Sequence, residues 1–295
     1  MYFRILQIEK GGKRTRIIKD KLFFIGVCVF SFFTTIPLLL ILWELLKKGY
    51  KQLNWHFFVE SSPSSLDAML ALQSGEPIPG GIANGIIGSF CMVILATVIS
   101  VPIGIFTGIY LSEHPKSKFS GLIRAVAELI QGTPSIVVGL IIYAWVVKPL
   151  GGYSGFAGGV ALSILMLPLI IRSTEETLRM LPVSLKEAGL ALGSSYTNVI
   201  LKVLLPSAFG GLFTGILLSV SRVLGETAPL MLTALGAMAI EINIMRPMSA
   251  IPLQIWEFYN DPNLSNLIWT ASLFLLLFIF FLNLTAKQIA KKWKI

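Results

Sequence analysis

Six long runs of apolar residues divide this chain and constrain its fold more than any other feature. A run of about 18 or more apolar residues typically crosses the hydrocarbon core of a bilayer as a helix. The runs cover residues 22–46, 83–111, 122–147, 155–171, 208–235 and 266–284. The fourth run is long enough only if its helix continues into the polar residues that follow. The pattern predicts an all-α, polytopic membrane protein with six transmembrane helices.

The composition also favours a membrane protein. Hydrophobic residues make up 55% of the 295 residues and charged residues 13%, whereas soluble domains average about 45–50% and about 25%. The net charge of +9 does not form a basic patch, because the lysines and arginines lie between the apolar runs. We therefore expect contacts with membrane lipids and none with nucleic acid.

The positions of the basic residues predict the orientation of the chain. Eighteen of the 24 lysines and arginines lie in the two tails and in the loops on the same side, and five lie in the alternate loops. Because basic loops stay cytoplasmic, we expect both termini to be cytoplasmic and the chain to reside in the inner (plasma) membrane. The predicted parts are a cytoplasmic tail at 1–21, a first transmembrane helix at 22–46, an external loop at 47–82, a transmembrane core at 83–286 and a cytoplasmic tail at 287–295.

Two external connections, 47–81 and 236–265, are long enough to have a function of their own. They either meet an external donor of substrate or simply connect spans in solvent. The spacings Gly104xxxGly108 and Gly211xxxGly215 place small residues one turn apart. Such pairs allow two membrane helices to approach closely, so we expect tight helix packing at both places.

A polar cytoplasmic loop at 172–207 contains a spaced motif. It consists of Glu187-Ala188-Gly189, three residues, Gly193, nine residues and Val203-Leu204-Leu205-Pro206. This motif resembles the EAA loop of ABC importer permeases, whose pattern is E-A-A, three residues, G, nine residues and I-x-L-P, and departs from it only at Gly189 and Val203. The resemblance implies a type I ABC importer permease fold, with a short helix that contacts a separate ATPase and transmits its movement to the spans.

The residues of the motif suit such a helix on physical grounds. A carboxylate at Glu187 complements the helix dipole if it lies near the helix start. Gly193 permits an abrupt turn at the helix end, and Pro206 suits the start of the next span. The alternative interpretation is an ordinary amphipathic surface helix between two spans.

The fifth apolar run contains two charges, Arg222 and Glu226, which are spaced to share one helix face. An arginine at membrane depth costs about 2.5–3.5 kcal/mol on insertion scales, so it usually has a partner or lines a pathway. Its planar fork matches phosphate oxygens, and Glu226 can compete with the anion so that binding stays weak enough for release. The alternative is an internal ion pair that only fixes helix packing.

The segment from Ser221 to Pro229 resembles the RxxGETAP signature of the permease subunits of phosphate-specific ABC transporters, and the resemblance continues over most of the chain from about residue 80. It implies import of inorganic phosphate along a pathway with Arg222, Glu226 and Thr227. Thr133 precedes a proline that breaks the third run, and broken backbone at membrane depth either lines a cavity or is a packing kink. We place Thr133 on the same pathway.

Two further pairs of opposite charges have helical spacing. Arg124 and Glu128 predict a structural or gate-closing pair, and Glu175 and Arg179 predict a pair that stabilises the helix leading to the loop. The chain has no GxxxxGK[ST] phosphate loop and no HExxH motif, so we expect a transport subunit rather than an enzyme, with no cofactor of its own and with ATP and Mg on the partner ATPase.

The resemblance implies three kinds of partner: a second permease subunit of the PstC type, ATPase subunits of the PstB type and an external phosphate-binding protein of the PstS type. Two rival functions remain open at this point. The chain could belong to an ABC importer of another oxyanion or small solute, or be a secondary transporter that uses its intramembrane charges as relays. A membrane-embedded hydrolase lacks the nucleophile or metal constellation that its chemistry requires.

Overall fold

The structure, a computed structural model, describes residues 2–292, with side chains for residues 16–289 and 291. The α-helices in chain order are α1 (Tyr2–Gly49), α2 (Trp55–Val59), α3 (Ser65–Ser74), α4 (Ala83–Glu113), α5 (Lys118–Gly132), α6 (Ser135–Ile142), α7 (Lys148–Leu150), α8 (Gly155–Arg179), α9 (Val183–Ala191), α10 (Tyr196–Val199), α11 (Leu205–Val223), α12 (Ala228–Met231), α13 (Ile251–Tyr259) and α14 (Ser265–Lys292). Between residues 2 and 292 there is no β-strand, only an isolated bridge between Leu235 and Met248. The all-α prediction is confirmed.

Within the described residues, five helical segments are long and apolar enough to cross a membrane: Arg16–Gln52, Ala83–Glu113, Gly155–Arg179, Tyr196–Val223 and Pro262–Ile289. The fourth apolar run gains its length from the polar flank, because α8 continues to Arg179. A sixth crossing is obtained when the bent pair Lys118–Gly132 and Ser135–Leu150 counts as one span.

The third apolar run is bent rather than straight. Its two halves, α5 and the segment that begins with α6, meet at an angle of 104°. Pro134 has no backbone N–H and keeps the preceding residue out of the helical region, so Thr133 is extended with φ −81° and ψ 135°. The proline that marked this run in the sequence therefore separates it into two helices.

The fifth apolar run, 208–235, is not a single helix, which corrects the prediction of one continuous span. Helix α11 ends at Val223, and a turn leads into the short helix α12. The Gly225 N–H donates to the carbonyl of Arg222, and the Glu226 N–H donates to the carbonyl of Val223. The charged residues of this run therefore lie at the end of a helix and in the turn after it.

Glycines allow the core helices to touch, as the sequence predicted. A Cβ on Gly104 of α4 would lie 2.6 Å from Ile170 Cγ2 of α8, and one on Gly108 would lie 2.5 Å from Thr174 Cβ. On α11, a Cβ on Gly215 would overlap the hydroxyl of Ser173. Helices α4 and α11 therefore both pack closely against α8.

Helix α12 returns into the core after the turn. Leu230 is buried in the same cluster as Met92 of α4 and Leu162 of α8. A Cβ on Gly139 of α6 would lie 2.8 Å from Cα of Pro229, so α6 packs closely on α12. This packing fixes the position of the turn between α11 and α12 against the bent span.

Helix α1 stands apart from this core. No residue of its membrane-spanning window is buried, and its contacts with the rest of the chain lie near its end, where Gly49 packs on Trp269 and Leu273 of α14. Its apolar side chains, including Phe23, Phe30 and Trp43, are exposed. Surfaces of this kind are covered by lipid or by other membrane helices.

Candidate functional site

The two predicted pathway charges lie close together at the end of α11. Arg222 occupies the last turn of the helix and Glu226 the turn that follows, so they do not share one continuous helix face as the sequence suggested. Arg222 Nε is 3.8 Å from Glu226 Oε1. This distance exceeds the about 2.7–2.9 Å of a charge-assisted hydrogen bond, so the carboxylate attracts the guanidinium without holding it tightly.

The Arg222 side chain is 43% exposed and the Glu226 side chain 18%. Among the described residues, no hydrogen bond from the guanidinium to a protein group is present. Arg222 lies seventeen residues after the start of α11, which is about 26 Å along the helix. An accessible arginine at the end of such a helix can donate its N–H groups to an anion.

Thr227 and Thr133 lie on elements that adjoin this turn. Thr227 is half-buried and lines a cavity of about 370 Å³ together with Trp256 and Tyr259, at the end of α13. Thr133 occupies the bend of the third span, where its hydroxyl donates to the carbonyl of Leu129 at 2.6 Å. The roles of both threonines in a pathway stay predictions.

The predicted ATPase-contacting loop forms a short helix, α9, which carries Glu187 and Ala188 on its exposed surface. Glu187 lies in the middle of α9 and not near its start, because the helix begins at Val183, directly after Pro182. Gly193 follows the helix with φ +80°, a conformation that glycine adopts at little cost, so the predicted turn is present there. Leu192, the residue before Gly193, is 88% exposed.

The departure from the EAA pattern at Gly189 has a structural reason. A Cβ at this position would lie 2.9 Å from Val199 Cγ2 in the neighbouring helix α10. An alanine would require Val199 to move by a few tenths of an ångström, whereas glycine allows the two helices to touch. Leu205 and Pro206 are the first two residues of α11, which continues from α10 through the π-helical turn Ile200–Leu204. Pro206 therefore lies inside one continuous helical segment and not at the start of a new helix, as the sequence suggested, and its missing N–H accompanies the π-helical turn before it.

An ion pair connects α9 to the transmembrane core, and no spacing in the sequence indicates it. Lys186 of α9 pairs with Glu113 at the end of α4. The same ammonium group lies 3.1 Å from the hydroxyl of Tyr196 and 4.7 Å from the centre of its ring. A displacement of α9 would therefore act directly on the end of α4.

Glu175 forms a second connection at the same end of the molecule. Its side chain is only 8% exposed, and its Oε1 accepts a hydrogen bond from Arg124 and forms an ion pair with Arg179, both at 2.7 Å. Arg124 also donates to the backbone carbonyls of Leu111 and Pro115. The predicted pairing of Glu175 with Arg179 is confirmed, whereas Arg124 pairs across to α8 instead of with Glu128 on its own helix.

These charges surround a cavity of about 160 Å³ between α5 and α8. Arginine and glutamate side chains line it in equal number: Arg124, Arg172, Arg179, Glu128, Glu175 and Glu176. Because the charges balance, this cavity is a structural junction and a poor anion site. Within the described residues, no group of three or more His, Cys, Asp or Glu could hold a metal ion.

Known proteins resemble this chain in sequence and in fold. Residues 100–295 match the family of the binding-protein-dependent transport system inner membrane component. A phosphate transport system permease protein PstA from Pasteurella multocida (strain Pm70) is 36% identical over 275 residues, which cover 92% of this chain and 94% of the relative. The protein of the same name from Yersinia pestis is 37% identical over 260 residues, which cover 87% of this chain and 85% of the relative.

A solved structure of the MetNI methionine ABC transporter, in an inward-facing conformation, aligns with a TM-score of 0.61 and 20% identity, and the alignment covers 71% of this chain and 94% of that one. At this identity the likeness concerns the fold, which is that of a type I ABC importer permease. Permeases of this class are transport subunits that work with a separate ATPase, another permease subunit and a binding protein. The chain belongs to the binding-protein-dependent transport system inner membrane component family and, within it, to the phosphate transport system permease proteins.

Proposed function

We propose that this chain is a transmembrane permease subunit of an ATP-driven importer of inorganic phosphate. The observation that carries the proposal is the Arg222–Glu226 pair, accessible in the turn after α11 and held by a contact of 3.8 Å. A guanidinium fork binds a tetrahedral oxyanion through two parallel hydrogen bonds. The permeases that share over a third of its residues are named for phosphate transport, which supports the same cargo here.

Glu226 adjusts how tightly Arg222 holds the anion. A transport site must bind its ion well enough to admit it and weakly enough to release it. Because Glu226 is largely buried beside the guanidinium, an incoming anion has to compete with a fixed negative charge. The carboxylate thus neutralises Arg222 when the site is empty and lowers its affinity for phosphate when it is filled. Thr227 and Thr133 complete the proposed pathway.

The ATPase contact is the exposed surface of α9. We place Glu187 and Ala188 against ATPase subunits of the PstB type, which bind ATP and Mg, so that this chain needs no cofactor. ATP binding can favour one conformation only through contacts that differ between the two. The Lys186–Glu113 pair supports this role because it links α9 to α4.

The orientation and the remaining partners follow from the same function. The excess of lysine and arginine in the two tails and in the loops on the same side supports cytoplasmic termini. The external loop at 47–82 would then face a phosphate-binding protein of the PstS type. A second permease subunit of the PstC type would complete the pathway beside α1 and α11, both of which leave apolar side chains exposed.

Uptake by the assembled complex tests which ion is transported. We expect proteoliposomes that contain both permeases and the ATPase, with the phosphate-binding protein outside, to take up labelled phosphate only when ATP is enclosed. An excess of unlabelled sulfate should leave the uptake unchanged, because the binding protein and the pathway together select phosphate. Uptake of sulfate in place of phosphate would show that the complex imports another oxyanion and would overturn the proposal.

Glu187→Lys should weaken the ATPase contact. The substitution reverses a charge on the exposed face of α9 and disturbs no ion pair of the described residues, so we expect about tenfold less ATPase to copurify with the permease. A pull-down of the tagged permease, with the bound ATPase quantified by immunoblot, measures this. The control Glu76→Lys makes the same charge reversal in the predicted external loop and should retain the ATPase. Equal losses of ATPase in both variants would contradict the assignment of α9 as the ATPase contact.

A further inference from the structure

A second basic surface lies beyond the Arg222 site. A groove of about 650 Å³ runs between α8, α11 and α14. Small or short side chains form its walls, among them Ser173, Gly210 and Thr214, and Leu218 lies at one end. Among the residues whose side chains the structure describes, the charged ones that line it are Lys287 and Lys291 of α14. The groove is therefore wide, mostly apolar and positively charged.

The two lysines are unpaired cations. They lie four residues apart on α14, which places both ammonium groups on one side of the helix. In the part of the chain that the structure describes, neither lysine forms an ion pair or a hydrogen bond. Two like charges at this spacing repel each other. An anion between them removes this repulsion, so the groove favours a negatively charged ligand.

The groove continues the face of α11 that carries Arg222. Leu218 and Thr214 precede Arg222 by four and eight residues, so the three lie on one side of the helix. On α14, Asn283 accepts a hydrogen bond of 3.2 Å from Ser221, the residue next to Arg222. Lys287 and Lys291 follow Asn283 by four and eight residues, which is about 6 and 12 Å further along α14. The lysines thus lie further along α14 than the level of Arg222, in a groove whose α11 wall shares a face with Arg222.

We infer that this groove is a second anion site, in which Lys287 and Lys291 bind a phosphate group. The inference rests on the proposed function and extends its pathway by one step beyond Arg222. An ammonium group is a compact, strongly hydrated charge without the fork of a guanidinium. The Thr214 hydroxyl donates to the carbonyl of Gly210 at 2.7 Å, so it is already engaged. The bound anion therefore keeps much of its hydration and is held more weakly than at Arg222.

Two molecules present this chemistry at the cytoplasmic end of a membrane helix: free phosphate and the headgroup of an anionic phospholipid. The groove accommodates both, because its apolar wall suits an acyl chain and its volume exceeds that of a hydrated phosphate. Its continuity with the Arg222 face favours free phosphate on its way out.

Binding to the purified full-length chain tests the site. The chain, with Arg222→Gln to remove the first site, is placed in nanodiscs of neutral phosphatidylcholine, and the ³¹P NMR line width of inorganic phosphate is measured. We expect broadening that Lys287→Gln/Lys291→Gln abolishes. The matched control, Lys47→Gln/Lys51→Gln, removes two exposed lysines at the other end of the membrane region and should leave the broadening intact.

A second arm identifies the source of the phosphate group. In nanodiscs that contain phosphatidylglycerol, native mass spectrometry counts the lipids that stay bound to each variant. Loss of bound phosphatidylglycerol in the Lys287/Lys291 variant, with no change in the phosphate line width, would assign the site to the lipid headgroup. No effect of this variant in either arm overturns the site. Neither arm needs the ATPase, so failure of phosphate uptake by the assembled complex is a separate result.

Discussion

Arg222→Gln should reduce ATP-driven phosphate uptake by about 100-fold, equivalent to about 2.7 kcal/mol. Glutamine is polar and can still donate hydrogen bonds, but it carries no charge and cannot form the fork that grips two oxyanion oxygens. Glu226 would then remain beside the pathway without a counter-charge and would repel the incoming anion. Initial rates of labelled phosphate uptake into proteoliposomes, with equal amounts of assembled complex, measure the effect.

Three comparisons separate a pathway role of Arg222 from a packing role. Arg222→Lys keeps the charge and loses the fork, so its rate should lie between those of wild type and Arg222→Gln. Arg246→Gln removes an exposed arginine that pairs with Glu241 in the segment between α12 and α13, and uptake should stay at the wild-type rate. If Arg222→Gln instead lowers the thermal unfolding midpoint and leaves the rate per complex unchanged, the pair only fixes helix packing.

The membrane architecture could be predicted from the sequence because each span is encoded by residues that are close together in the chain. The length and hydropathy of each run determine whether a helix can span the membrane. Glycine spacing determines where helices touch, as where Gly104 and Gly108 of α4 contact α8. The end of α11 at Val223 was missed since the apolar run continues past it to residue 235. Gly225 and Pro229, both helix breakers, were the available signal for a turn there.

Charge pairing was harder to predict, because helical spacing predicts only partners that lie on the same helix. That rule matched Arg179 to Glu175 but matched Arg124 to Glu128, whereas the fold brings Arg124 to Glu175, 51 positions away. Lys186 and Glu113, which are 73 positions apart, carry no mutual signal in a single sequence. The lysine-lined groove likewise exists only through the packing of three helices. Contacts between residues on separate helices could therefore be identified only from the structure.

Glu175→Gln should destabilise the protein by about 2–4 kcal/mol. Removing one member of a buried ion pair typically costs about 3–5 kcal/mol, and the cost is lower here since Arg124 and Arg179 remain partly exposed. The variant leaves two guanidinium groups close together with no anion between them. Thermal unfolding in detergent micelles measures the loss. Glu176→Gln, at the next position, is the matched control: its side chain is 61% exposed and pairs with Arg172 at 3.0 Å, so it should cost less than about 1 kcal/mol.

A double-mutant cycle shows whether Glu175 acts through Arg124. Arg124 also donates to the carbonyls of Leu111 and Pro115, so it connects the end of α4 to α5 and α8 only while Glu175 neutralises it. If this connection is the source of the stability, Arg124→Gln should lower the free energy of unfolding only slightly once Glu175→Gln is present. The loss in the double variant should then be smaller than the sum of the two single losses by about 1 kcal/mol or more. Additive losses would mean that Glu175 stabilises α8 through Arg179 alone, and α5 would then be held to the core by its apolar contacts.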